Sequence, residues 1–328
     1  MKTGLFSDPI FQEHDTGNHP ENAGRLVALG RKLESDPLWK HLEHRKPRPA
    51  TEAEIAAVHT VDYIRTVEEA SHSGHPFLGT PDCVLSSRTY EVALHAAGAL
   101  VDAAGEVAEG SLNNAFVACR PPGHHAEQAQ AMGFCYFNNV AITAESLIDR
   151  FGYERVLIFD FDVHHGNGTQ HSFQSRKDVF FASIHQHPAT LYPGTGFAEE
   201  RGMGEGTGYT LNAPMPPQSD DEAYRTVFDQ ILLPQFREFN PQFILISAGF
   251  DAHRNDPLAM IDLTQAGFDH LILGMKRLAE ECCEGRMVSV LEGGYDYDAL
   301  SDCVTSHVSL MQADSVNELA PTQPSDPA

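Results

Sequence analysis

The chain carries five short apolar runs, over 115–119, 156–161, 179–184, 243–247 and 287–291, with none of the in/out alternation of a half-exposed strand. Near-continuous runs of that length read as strands covered on both faces. Helical patterning fills the intervals, over 90–109, 138–150, 221–239, 265–284 and 297–311, with Pro234 as an expected break in the third. Strands alternating with helices build a parallel sheet with helices on both faces. The expected fold class is therefore α/β, a single-domain three-layer αβα architecture around a mainly parallel central sheet. Ligands of such sheets bind beyond the carboxyl ends of the strands. There this sequence keeps long loops rich in Gly, Pro and His, the longest over 185–217, expected as rim or interface. One domain is expected over 1–312, and the polar, Pro-rich stretch 313–328 reads as a mobile tail.

Composition narrows the function classes. With 41% apolar residues among 328, the chain can bury a core, and wholesale disorder is excluded. Lys and Arg number 22 against 46 Asp and Glu, a formal charge of −24. That balance argues against nucleic acid as a direct partner and against an anionic membrane surface. Cationic amines are favoured, although most of the acid excess reads as surface solubility. Oligomeric state is not legible. The six cysteines form no C-x-x-C pair and no dense framework, so neither a thiolate zinc site nor a disulfide scaffold is expected. No secretory h-region opens the chain, and no apolar run approaches the roughly 18 residues of a membrane span. A reducing, cytoplasmic setting is the expectation, in which the triplet Asn167-Gly168-Thr169 has no glycosylation role.

The strand over 156–161 runs into Asp160-Phe161-Asp162-Val163-His164-His165-Gly166-Asn167-Gly168. In extended chain, residues i and i+2 point the same way, so Asp162 and His164 project together into the crevice. A carboxylate and an imidazole so placed make half of a divalent-metal site. Asp251, past the end of the strand over 243–247, can complete it. Three protein ligands leave a position open, as catalytic metals require. Arg120-Pro121-Pro122-Gly123-His124-His125 supplies paired imidazoles after a rigid turn, suited to general base work near neutrality. Leu291-Glu292-Gly293-Gly294-Tyr295 can present a phenol to a developing oxyanion. The aromatic stretch Gly133-Phe134-Cys135-Tyr136-Phe137-Asn138-Asn139 lines a narrow apolar tunnel or covers the sheet.

These motifs, RPPGHH, GFCYFNN, DFDVHHGNGT, SAGFDAHRNDPL and LEGGY in that order, closely resemble the histone deacetylase superfamily, in the manner of a bacterial class II-type member of the arginase–deacetylase fold. The resemblance runs from His19-Pro20-Glu21 and Arg25 to about residue 311. It implies zinc on Asp162, His164 and Asp251. It makes His125 the general base and then acid, with Asn167 as its partner where class I members carry Asp. His124 becomes a mainly electrostatic residue paired with Asp160, and the two histidines are expected to differ in basicity. Tyr295 would polarise the scissile carbonyl. Gly133 and Phe134 would form one tunnel wall, and the segment 191–194 with Tyr192 the other. A structural potassium would use Asp160, the carbonyls of Asp162 and His164, and Ser183; a second such site would lie near Phe173 and Val179.

The implied activity is zinc-dependent hydrolysis of acetyl or other short acyl groups from the ε-amine of lysine in peptides or proteins. The family's animal polyamine branch has a Glu where this chain has Leu258, which favours acetyl-lysine over acetylated small amines. Ser86 and Ser87 are expected where family members bind the substrate backbone. An acetylpolyamine amidohydrolase is the alternative. An arginase-like ureohydrolase with two manganese ions fits Tyr295 and the paired histidines less well, as does an inactive acetyl-lysine binder.

Overall fold

A computed structural model describes residues 1–313, so the expected tail over 313–328 lies, beyond its first residue, outside the described residues. Eight strands form one sheet: β1 (Thr3–Phe6), β2 (Glu43–Arg45), β3 (Asn114–Val117), β4 (Val156–Asp160), β5 (Val179–Gln186), β6 (Thr210–Met215), β7 (Phe243–Ala248) and β8 (Met287–Leu291). Their order is β2-β1-β3-β8-β7-β4-β5-β6, and every pairing is parallel. The helices are α1 (Gly24–Ser35), α2 (Glu52–Ala56), α3 (Val61–His72), α4 (Thr89–Ala108), α5 (Asn139–Phe151), α6 (Asn167–Phe173), α7 (Asp221–Val227), α8 (Leu233–Phe239), α9 (Gln265–Cys282) and α10 (Tyr297–Gln312). The three-layer α/β expectation holds, with a sheet that is parallel throughout.

All five apolar runs became central strands, and β3, β4, β7 and β8 are buried at every position. Their helices begin and end where local chemistry dictates. Asn138 caps α5 through the Ala141 N–H, and Gly152 closes it in the left-handed region. Asp296 caps α10 in the same way. The patterned stretch over 221–239 is two helices joined by a π-helical turn, Phe228–Leu232. Pro234 lies in the first turn of α8, directly after the π-helical turn.

The pattern did not reveal β1, β2, β6, α1 to α3 or α6. The stretch over 185–217 is not one loop: it holds the end of β5 and all of β6, the edge strand. The three strands sit at the sheet margins, where apolar runs break up. Among the described residues, no helix is long and apolar enough to cross a membrane, and all six cysteines are unpaired. The register sets Asp160 at the end of β4 opposite Ser183 of β5 and Ser247 of β7. The loops after β3, β8, β7 and β4, four adjacent strands, therefore converge on one crevice.

Candidate active site

Past β4, the chain bends at residues 162–164 before α6 begins. Phe161 and Val163 turn into the core, both fully buried, while Asp162 and His164 turn the other way. Asp160 Oδ1 accepts the Asp162 N–H at 3.0 Å, and Asp162 Oδ1 accepts the His164 N–H at 2.9 Å, which fixes this stretch. Asp251 reaches across from β7 and accepts the Val163 N–H at 2.9 Å. One ligand atom from each of Asp162, His164 and Asp251 falls within 4.8 Å of the others. His164 Nδ1 is 3.0 Å from Asp162 Oδ1 and 3.1 Å from Asp251 Oδ2.

This donor set fits a divalent cation. Two wholly buried carboxylates face one imidazole, and such charge is stable only when compensated. Burial and the neighbouring Asp162 push the Asp251 carboxyl up. Burial disfavours protonation of His164, yet its hydrogen bonds to the two carboxylates push it up to about 10. The meeting point thus calls for positive charge. A second buried cluster is formed by His124, Cys135 and Glu292, each of them already held by another partner. Glu292 accepts the Gly123 N–H at 2.7 Å and the Ser247 hydroxyl at 3.0 Å, His124 binds Asp160, and the Cys135 thiol donates to the Gly133 carbonyl.

The paired histidines sit beside this centre with ring centroids 4.0 Å apart, and they do differ. His124 Nδ1 lies 2.9 Å from Asp160 Oδ2. Burial opposes its protonation, but Asp160 and Asp162 outweigh burial and push it up to about 10. His125 Nδ1 lies 2.7 Å from the Asn167 amide oxygen. Burial, His124 and His164 together hold His125 well below its ordinary value, and a neutral amide offers no compensating charge. Two imidazoles adjacent in sequence thus have opposite characters.

Tyr295 enters the same crevice. Gly294, at φ +118°, makes the turn, and the Tyr295 N–H is held by Asp256 Oδ2 at 2.7 Å. Burial and Asp251 push the phenol well above its usual range, so it remains a donor. Arg25 packs its guanidinium 5.0 Å from the Tyr295 ring centre and donates to the carbonyls of Glu292 and Gly294, both at 2.6 Å. Glu21 anchors Arg25 at 3.1 Å and Arg120 at 2.5 and 2.8 Å in a fully buried cluster. Burial raises the Glu21 carboxyl, but Arg120 and Arg25 outweigh it and bring it down to about 2.

A cavity of about 480 Å³ leads to this floor. Gly133, Phe134, Leu191, Tyr192 and Leu258 all line it, as expected. Phe134 adopts φ +70°, which turns its ring edge-on to Tyr295 at 5.9 Å, and Tyr192 stands edge-on to His125 at 5.2 Å. Ser86 and Ser87 do not line it. Ser86 is tied to Thr89 at the start of α4, and Thr80 and Asp82 hold the rim instead. Asp82 accepts the Gly133 N–H at 3.0 Å. Nothing in its sequence setting singled it out, and Glu292 and Arg25 stood in quoted motifs without a role. Ser183 does not line the cavity; it pairs with Asp160 across β4 and β5.

The chain matches the histone deacetylase domain model over residues 19–311. It is 40% identical over 301 residues to a probable deacetylase of Archaeoglobus fulgidus, covering 91% of this chain and 82% of that protein. It is 38% identical over 315 residues to the histone deacetylase-like amidohydrolase of Pseudomonas aeruginosa, covering 90% and 82%. The crystal structure of the HDA15 HD domain superposes with a TM-score of 0.87 at 35% identity, covering 95% of this chain and 92% of that one. The site geometry and these relatives agree: the chain belongs to the histone deacetylase family of amide hydrolases.

Proposed function

We propose that the protein is a zinc-dependent deacetylase that removes acetyl, or another short acyl group, from the ε-amine of lysine in peptides and proteins. The observation that carries this reading is the convergence of Asp162, His164 and Asp251 at the floor of an apolar cavity flanked by His125 and Tyr295. Zinc held by those three residues would lower the pKa of a water and polarise the acyl carbonyl. His125 Nε2, facing the cavity as a neutral imidazole, takes the proton of the attacking water. The Tyr295 phenol donates to the oxygen on which negative charge develops. His125 then returns its proton to the leaving amine. His124, kept cationic by Asp160, contributes positive charge beside the reacting carbonyl. Phe134 and Tyr192 exclude water along the acyl-lysine stem. Leu258 leaves its part of the rim without a carboxylate for a distal ammonium, which favours a lysine stem over an acetylated polyamine.

A monovalent cation beneath the floor is part of the same reading. The carbonyls of Asp162 and His164 accept no hydrogen bond from the described residues. His185 Nε2 faces the Gly196 carbonyl at 2.9 Å and so carries its proton, which leaves Nδ1 to accept from the Ser183 hydroxyl at 2.8 Å. The lone pairs of Ser183 then remain for potassium, with Asp160 alongside.

The deciding experiment is metal analysis of the purified protein coupled to turnover of an acetyl-lysine peptide and of acetylputrescine. One zinc per chain, chelator-sensitive activity and preference for the peptide are expected. Preference for acetylputrescine would move the substrate class, and two manganese ions per chain would overturn the reading.

A further inference from the structure

His125 is not the end of its own hydrogen-bond chain. The amide of Asn167 that faces it carries two hydrogens on Nδ2, and both meet acceptors: Glu127 Oε1 at 2.5 Å and the His125 main-chain carbonyl at 3.3 Å. Turning the amide over would set its oxygen against a carboxylate and a carbonyl, so it has one orientation. Its oxygen must then face His125 and can only accept. The His125 Nδ1 therefore carries the hydrogen, and Nε2 is the free, basic nitrogen. Glu127 is itself held from outside by His171 of α6, at 2.8 and 2.9 Å. A cleft of about 340 Å³ bordered by Gln128 and Glu145 opens beside them.

We propose that Glu127 is a positioning residue for His125: it orients the Asn167 amide, and that amide selects the neutral tautomer of His125 that leaves Nε2 free. The same contact explains why position 167 takes an amide, because a carboxylate there would stand against the carboxylate of Glu127. The link transmits orientation only, since an amide passes no proton. Its consequence for turnover rests on the reading of His125 as the base.

The test is side-chain ¹⁵N NMR of the zinc-loaded enzyme, with the His125 signal assigned by its loss in His125→Ala, beside steady-state kinetics on an acetyl-lysine peptide. Wild type shows one His125 tautomer, protonated at Nδ1. Glu127→Ala shows a mixture of tautomers, and its kcat falls by about 10- to 100-fold, with KM held within about twofold. Glu127→Gln, whose side-chain oxygen still accepts from Asn167, recovers most of that loss. Asn167→Asp alone lowers kcat, and adding Glu127→Gln to it restores activity, because the new amide donates to the new carboxylate. A single unchanged tautomer in Glu127→Ala overturns the proposal, as does an additive rather than compensating double-mutant cycle. A changed tautomer with unchanged kcat would leave the positioning role standing and remove His125 as the base.

Discussion

Gly293 donates its backbone N–H to Asp162 Oδ2 at 2.8 Å, and a Cβ on that glycine would lie 2.1 Å from Asp251 Oδ2. Its backbone is not in the left-handed region, so space alone requires glycine here; Gly294 is the one whose conformation demands it. Gly249 is confined in the same way, with its imagined Cβ 2.1 Å from Asp162 Oδ2. Two loops thus press bare backbone onto the two carboxylates and fix where their oxygens point.

Gly293→Ala should therefore spread Asp162 and Asp251 apart. Metal affinity is expected to fall by about 10- to 100-fold, as when a group orienting a ligand is lost. Titration with a competing chelator measures it, and circular dichroism should show an unchanged fold. Full metal retention would mean that the loop yields more readily than the close contact implies.

Tyr295→Phe removes one donor and little volume. Its kcat is expected to fall by about 10²-fold or more with the metal still bound. Full activity in this variant would take the phenol out of the reaction.

Glu21→Ala would leave the Arg25 and Arg120 guanidiniums buried without their carboxylate. Breaking a buried pair in this way costs about 3–5 kcal/mol, read as a lower urea midpoint. Because Arg25 also holds the carbonyls of Glu292 and Gly294, kcat should fall together with stability.

Acid should weaken the fold from mild pH. Burial pushes His59 down to about 4 and His307 down to about 3, from an ordinary 6.5. The unfolded chain binds these protons first, so their contribution is complete above pH 6.5. It drains as pH falls through 6.5 towards 4 and 3, by about 1.4 kcal/mol per pH unit for each group. His59 shows the cause, since Nδ1 faces the Glu127 carbonyl and Nε2 accepts the Asn138 N–H, which leaves no place for a second proton. Urea midpoints between pH 7 and 4 should fall, and more gently in His307→Gln. A flat profile would contradict the buried neutral state.

The chemistry was legible because its residues sit where strands end. Val156 to Phe161 announced a buried strand, and the i, i+2 spacing put Asp162 and His164 on one side, although the chain bends there instead of staying extended. Asp251 and Tyr295 followed from the same reasoning on β7 and β8. The margins were not legible. β6 is an edge strand inside a stretch that reads as loop, and β1 and β2 lie at the opposite margin of the sheet. Asp82 was missed, and Ser86 taken in its place, because a rim is formed by loops whose path no periodicity describes.

What the sequence determined by itself was local: apolar runs, caps, and the ligand-bearing residues that leave each strand end. Tertiary structure alone decided what those residues become. His124 and His125 are chemically identical and adjacent, yet one meets the carboxylate of Asp160 and the other the amide of Asn167, backed by Glu127. The difference arises from charges brought together across long stretches of chain inside a dry interior, where a neighbour's electrostatic effect outweighs an imidazole's ordinary preference.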